Sequence, residues 1–331
     1  MILATTGTIM DEERDGRRFK FSGHESFACR YAWLTKAGAG VADDPSILTT
    51  KREDDAMAAL GVGKNMVRSI RYWAEAAGVI QPIDGGHAVT QFGSEILLGH
   101  QSSNGKYLAP LDPYLEDIQT LWLLHWKMTT NPAATVFAWD FLLNRFQEPE
   151  LYASAVVRAF ERELLQNSIT KGSLEQLWDV FLHSYVPTRG RKGEVREDNL
   201  DCPFIELDLL VPTGLTESSI HPGRVESKYA FRREDKPEIG SRLFAYCLYE
   251  FWAIRYPDEQ SMPLHMVANG HGSPGQVFKI PEMDIRNRLL GIHEASLGFL
   301  EFEESAAIPR VLQKKGANVP SLQEVYDAED R

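Results

Sequence analysis

Three cysteines in 331 residues, Cys29, Cys202 and Cys247, are too few and too far apart for a disulfide framework or a zinc knuckle. No apolar run approaches the roughly 20 residues that a bilayer-spanning helix needs. The N-terminus has no signal-peptide core, so no membrane association and a cytoplasmic location are expected. Also missing are a Walker A loop, a dinucleotide-binding glycine pattern, a His-Glu-x-x-His zinc motif and a Gly-x-Ser-x-Gly elbow. Gly61-Val62-Gly63-Lys64 has the glycines and lysine of a phosphate loop, but neither its spacing nor the following hydroxyl. Histidines are too scattered to suggest a metal cluster, and no internal repeat is visible.

What is present is an ordinary globular composition, 43% hydrophobic and 25% charged, with a net charge of -12. That charge argues against indiscriminate nucleic-acid binding by the whole surface. It is unevenly spread: residues 17–107 sum to +2, while residues 108–331 sum to -11. The weakly basic end is also the end with the clearest pattern.

That pattern runs from Lys51 to Phe92. A short helix, Asp54 to Leu60, precedes Gly61-Val62-Gly63, a turn that a helix cannot easily cross. A longer helix, Lys64 to Ala77, is closed by Gly78. Val79-Ile80, a turn at Asp84-Gly85-Gly86 and an alternating run to Phe92 complete a hairpin. This order predicts a winged helix-turn-helix. At about 100° per residue, Met66, Val67, Ile70, Trp73, Ala74 and Ala77 share an apolar face. Lys64, Arg68 and Arg71 share another, flanked by Asn65, Ser69 and Tyr72. Cations and amides on an otherwise anchored helix suit a groove and its phosphates. Arg52, Lys64, Asn65, Arg68, Arg71 and Tyr72 are therefore candidate contacts to double-stranded DNA. A solvated helical face, or a winged helix that binds protein, would show the same stripe.

The remainder reads as a mainly α chain with a few short strands. Residues 1–18 are expected to be a flexible leader, 19–105 the winged helix-turn-helix domain, 106–314 a larger helical domain and 315–331 an acidic tail. A helix is expected from Glu25 to Lys36, and four more near 113–128, 133–146, 149–165 and 173–184. Cys202 to Leu210 reads as helical, Tyr229 to Arg232 and Gln276 to Ile280 as strands, and Ile239 to Ile254 and Pro281 to Leu290 as helices. Trp126, Trp139 and Trp178 are expected in the core. The loop Thr188 to Arg196 is basic and glycine-containing, and its Arg189, Arg191 and Lys192 are either solvated or a second phosphate contact.

Two constellations could carry chemistry. His24 and Glu25 with Arg30 offer an imidazole, a carboxylate and a guanidinium for acid–base work on a phosphodiester, or else form a structural knot. Glu226-Ser227-Lys228 with Asp208 has the residue types of a metal-dependent nuclease, but Glu-x-Lys is common by chance.

The head segment Phe21-x-x-His24-Glu25-Ser26-Phe27-x-x-Arg30-x-x-Trp33-Leu34-x-Lys36 resembles the opening of a bacterial family labelled only as a domain of unknown function, the SspB-like family. The resemblance continues through Leu60 to Trp73, Asp112 to Asp117, Leu121 to Lys127 and Ser273 to Lys279. It implies a DNA nickase of a phosphorothioation system used in anti-phage defence, assisted by Mg²⁺ or Mn²⁺. Its partners would be a cysteine desulfurase, an ATPase and a PAPS-reductase-like enzyme. A non-catalytic DNA-recognition adaptor and a transcriptional regulator are the alternatives. No catalytic residue carries over from the resemblance.

Overall fold

A computed structural model describes residues 12–14, 17–102, 104–164, 169–187, 202–304, 307–314 and 319–327. About half of the described residues are helical, with short strands between the helices. Strands β1 (Glu12–Arg14) and β2 (Arg17–Lys20) pair antiparallel. After an irregular stretch come helices α1 (Tyr31–Asp43), α2 (Glu53–Leu60) and α3 (Lys64–Ala76). An antiparallel hairpin follows, β3 (Ile80–Ile83) with β4 (Gly86–Val89). The glycines act where the sequence placed them. Gly61 at φ +65 caps α2, and Gly78 at φ +71 ends α3, with Val79 N–H donating to Ala74 O at 2.9 Å. Both are left-handed positions that disfavour any Cβ.

The hairpin leads into a short helix α4 (Gln91–Gly93), a π-helical turn (Ser94–Leu98) and a small ribbon of β5 (His100–Gln101) with β6 (Tyr107–Leu108). The helical half then runs α5 (Ile118–Thr130), strand β7 (Thr135–Val136), α6 (Phe137–Asn144), α7 (Ala153–Glu163) and α8 (Lys171–Tyr185). A 3₁₀ turn, Pro203–Leu207, precedes a long hairpin of β8 (Leu210–Glu217) and β9 (Val225–Phe231). Next come α9 (Ser241–Arg255), β10 (Ser261–Pro263), α10 (Leu264–Asn269), α11 (Pro274–Phe278), α12 (Glu282–Leu290) and α13 (Ile292–Ala295). Strands β11 (Leu300–Glu303) and β12 (Arg310–Gln313) join β10 in an antiparallel sheet, and α14 (Leu322–Tyr326) follows.

Several expectations are corrected. Residues 25–30 are not helical: Glu25 has φ 52 and helix α1 begins only at Tyr31. Asp112 does not start α5. Its carboxylate accepts the backbone N–H groups of Glu116 and Asp117, and Asp117 is the N-cap. Residues 276–280 are not a strand, because Ser273 caps a helix with Pro274 in its first turn. The span 202–210 is a 3₁₀ turn running into β8. Within the span read as an acidic tail, Leu322, Val325 and Tyr326 are buried, and the Tyr326 hydroxyl is 2.6 Å from that of Thr120.

One apolar cluster spans the described residues. Trp126, Trp139 and Trp178 lie in it, as expected. The N-terminal helices join it directly, since Trp73 of α3 meets Trp139 of α6 edge-on at 5.5 Å. Strand β2 also pairs in parallel with β7, Phe19 opposite Thr135 and Lys20 opposite Val136.

Two histidines sit inside that core. On α5, His125 donates from Nε2 to Val277 O at 3.0 Å and its Nδ1 receives the Tyr185 hydroxyl at 2.6 Å. The same hydroxyl accepts Trp139 Nε1–H at 2.6 Å. Burial lowers both His125 and His24 from 6.5 to about 4. Their folded values are depressed, so their stabilising contribution is complete above pH 6.5 and declines as pH falls through 4. Glu75 extends the decline. Burial alone would raise its carboxyl, but His87 and the Lys20 ammonium outweigh it and hold the group at about 2. The urea midpoint is expected to fall from pH 6.5 downward, and His125→Gln to flatten the first part of that fall. A midpoint independent of pH between 6.5 and 4 would contradict the buried neutral imidazoles.

Candidate nucleic-acid interface

Helix α3 is held by its apolar face: Val67, Ile70, Trp73 and Ala74 are buried, and Trp73 Nε1–H donates to Phe27 O at 3.1 Å. Opposite, Lys64 and Asn65 are exposed and Arg68 is half-buried, with side-chain exposures of 53% for Lys64 and 36% for Arg68. The cationic edge is thus open to solvent. It is also occupied. The Glu53 carboxylate, at the first turn of α2, accepts Arg68 Nε at 2.7 Å and Nη2 at 3.2 Å, and Lys64 Nζ is 3.0 Å away. The Arg68 bonds, with help from Lys64, keep the Glu53 carboxyl at about 2.

The other candidates divide. Arg71 donates to Leu48 O at 3.1 Å, tying α3 to the loop before α2. Tyr72 does not flank the exposed strip: it is 2% exposed and its ring meets His24 edge-on at 5.2 Å. Arg52 pairs with Asp44 and, at 2.8 Å, with Asp55. Arg189, Arg191 and Lys192 lie outside the described residues. The hairpin carries no lysine or arginine and has Asp84 at its turn. It is pinned by His87 N–H to Pro45 O at 2.8 Å and by His87 Nε2 to Glu75 at 2.9 Å.

The head segment comes to the same face. His24 is 3% exposed; its Nδ1–H donates to Glu25 O at 2.7 Å, and its Nε2 has no partner among the described residues. A buried imidazole held neutral is poorly placed to meet a phosphodiester. Glu25 is half-exposed, 3.7 Å from Arg68 Nη1. Its left-handed backbone is fixed from both sides. Ser69 Oγ donates to His24 O at 2.9 Å, and Gln176 Nε2 donates to Glu25 O. Strain over-determined in this way is found where a side chain must be aimed. Arg30 takes another direction, its guanidinium 5.4 Å from the Trp33 ring centre. The fold, rather than the spacing, brings Glu25 beside Arg68, and spacing gives no sign of Glu53 at all. No local signal links positions 53 and 68.

The second constellation is dispersed. Glu226 accepts Ser154 N–H at 2.9 Å, Lys228 pairs with Glu150 at 2.7 Å, and Asp208 pairs with Arg232 at 2.8 Å.

The model of the family described as Protein of unknown function (DUF4007) matches residues 21–326. The chain belongs to that family. This DUF4007 protein is also similar to two solved structures, an SspB crystal structure and a magnesium-ion-bound SspB crystal structure. The first is 25% identical and superposes with a TM-score of 0.72, covering 90% of this chain and 85% of the other. The second is 26% identical with a TM-score of 0.72, covering 89% and 83%. No curated protein matches the chain.

Among the described residues of this DUF4007 chain, no three His, Cys, Asp or Glu side chains gather to hold a metal. Magnesium needs only one or two carboxylates plus water, but between Glu25 and Glu53 the Arg68 guanidinium already fills that place. The fit is poor. Among the described residues, no helix is long and apolar enough to cross a membrane.

Proposed function

We propose that this protein is a duplex-DNA-binding component of a DNA phosphorothioate modification machinery of the SspB type, nicking the backbone where sulfur is introduced. The observation that carries the reading is the likeness to SspB over nearly the whole chain, joined to an α2–turn–α3–hairpin unit whose exposed edge bears Lys64, Asn65 and Arg68. We take that unit as a winged helix-turn-helix with α3 as the recognition helix. Partner subunits would be a desulfurase, an ATPase and a PAPS-reductase-like enzyme.

The near-neutral edge favours modest affinity, because each cation there already has a carboxylate. That observation also supports the second reading, an adaptor that recruits the modification enzymes without cutting DNA. Open circles formed from supercoiled plasmid with Mg²⁺ or Mn²⁺ support the nickase; binding that leaves the plasmid intact under every such condition supports the adaptor. Arg68→Ala is expected to weaken duplex binding and reduce the salt slope by about one phosphate contact. An unchanged slope in a titration from 50 to 200 mM salt would remove Arg68 from the interface.

A further inference from the structure

We propose that His271, oriented by Asp140, is the base that activates water against a DNA phosphodiester. This rests on the nicking reading above and places its chemistry outside the α2–α3 unit. Asp140 on α6 is 1% exposed. Its Oδ1 accepts His271 Nε2–H at 2.8 Å, and its Oδ2 is 3.2 Å from Arg145 Nη2. With Nε2 bonded to a carboxylate, the basic nitrogen is Nδ1. It has no bond among the described residues, on a side chain 35% exposed. A buried carboxylate holding a solvent-facing imidazole by its far nitrogen is the arrangement that fixes tautomer and orientation in a general base.

The surroundings keep that imidazole in place. Gly272 N–H donates to Asn144 Oδ1 at 2.8 Å, and Asn144 Nδ2 donates to Asp140 O at 3.0 Å. Lys279 reaches the Leu143 carbonyl at the end of the same helix. Arg145 pairs with the same Asp140 and with Glu163, which holds the carboxylate in place; Arg255 Nη2 and Nε lie 3.7 and 3.8 Å from where a Cβ on Gly272 would sit.

In the step proposed, Nδ1 takes one proton from water while the water oxygen bonds to phosphorus. The P–O3′ bond breaks, and the 3′ oxygen takes a proton from solvent. Asp140 stabilises the imidazolium, which then releases its proton to bulk water. The products are a 3′-hydroxyl and a 5′-phosphate.

The test is single-turnover nicking of supercoiled plasmid with Mg²⁺ or Mn²⁺, with and without the partner subunits. Wild type is compared with His271→Gln, His271→Ala and Asp140→Asn, all first matched by thermal melting. His271→Gln is expected to slow nicking about 100-fold or more while duplex binding stays within about twofold. Added imidazole should restore His271→Ala, an effect that a structural role does not produce. Asp140, a positioning residue, should lower kcat when changed to Asn and leave KM unchanged. Wild-type nicking with His271→Gln equally active overturns this proposal alone. A wild type that never nicks overturns both it and the nickase reading.

Discussion

Replacing Trp73 by alanine is expected to destabilise the protein by about 3–5 kcal/mol and to do so in a single transition. Trp73 is fully buried on α3. Its ring meets Tyr72 at 5.1 Å and Trp139 at 5.5 Å, both edge-on, and its indole N–H is satisfied by Phe27 O. Alanine removes the indole from between the N-terminal helices and α6 and leaves a cavity that neither side can close. Because one apolar cluster spans both halves, tryptophan fluorescence and far-ultraviolet circular dichroism should report the same shifted midpoint. A biphasic melt, with residues 106–314 unfolding apart from the rest, would show instead that the halves are separate cooperative units.

Glu53→Gln is expected to tighten duplex binding, by about tenfold at 50 mM salt, and to steepen the salt dependence by one to two phosphate contacts. Glu53 pairs with both Lys64 and Arg68 of α3, and DNA phosphates must compete with it. Glutamine keeps an acceptor oxygen for Arg68 but removes the charge, leaving Lys64 and Arg68 a stronger attraction to the backbone. The comparison with Arg68→Ala is informative because the two variants move in opposite directions. A Glu53→Gln protein that binds no better than wild type would mean that α3 does not face DNA.

The parts of this chain legible in its sequence are those set by short-range chemistry. Gly61, Gly63 and Gly78 punctuate α2 and α3; the apolar face of α3 follows its rotation; the long apolar stretch of α9 cannot be anything but buried. Where two local signals compete, the capping signal decides. Gln276 to Ile280 looks strand-like, but Ser273-Pro274 is a helix start. Of the β8–β9 hairpin only the end of β9, at Tyr229 to Arg232, is legible, because most of β8 faces solvent and no alternation marks it. The site was harder still. Glu53 with Arg68, and Asp140 with His271, are joined across 15 and 131 positions, and only the packing of helices brings them together. Tyr72 went the other way: its rotation placed it beside the basic strip, but the irregular head segment folds over it.

The parallel pairing of β2 with β7 bears on how the chain is made. Residues 17–20 have β1 beside them but lack their second strand partner until residues 135 and 136 have left the ribosome. Until then the first helices are also without Trp139 to rest against. Such distant closure slows folding, so a chain stalled before residue 135 would offer its apolar head to chaperones rather than to DNA.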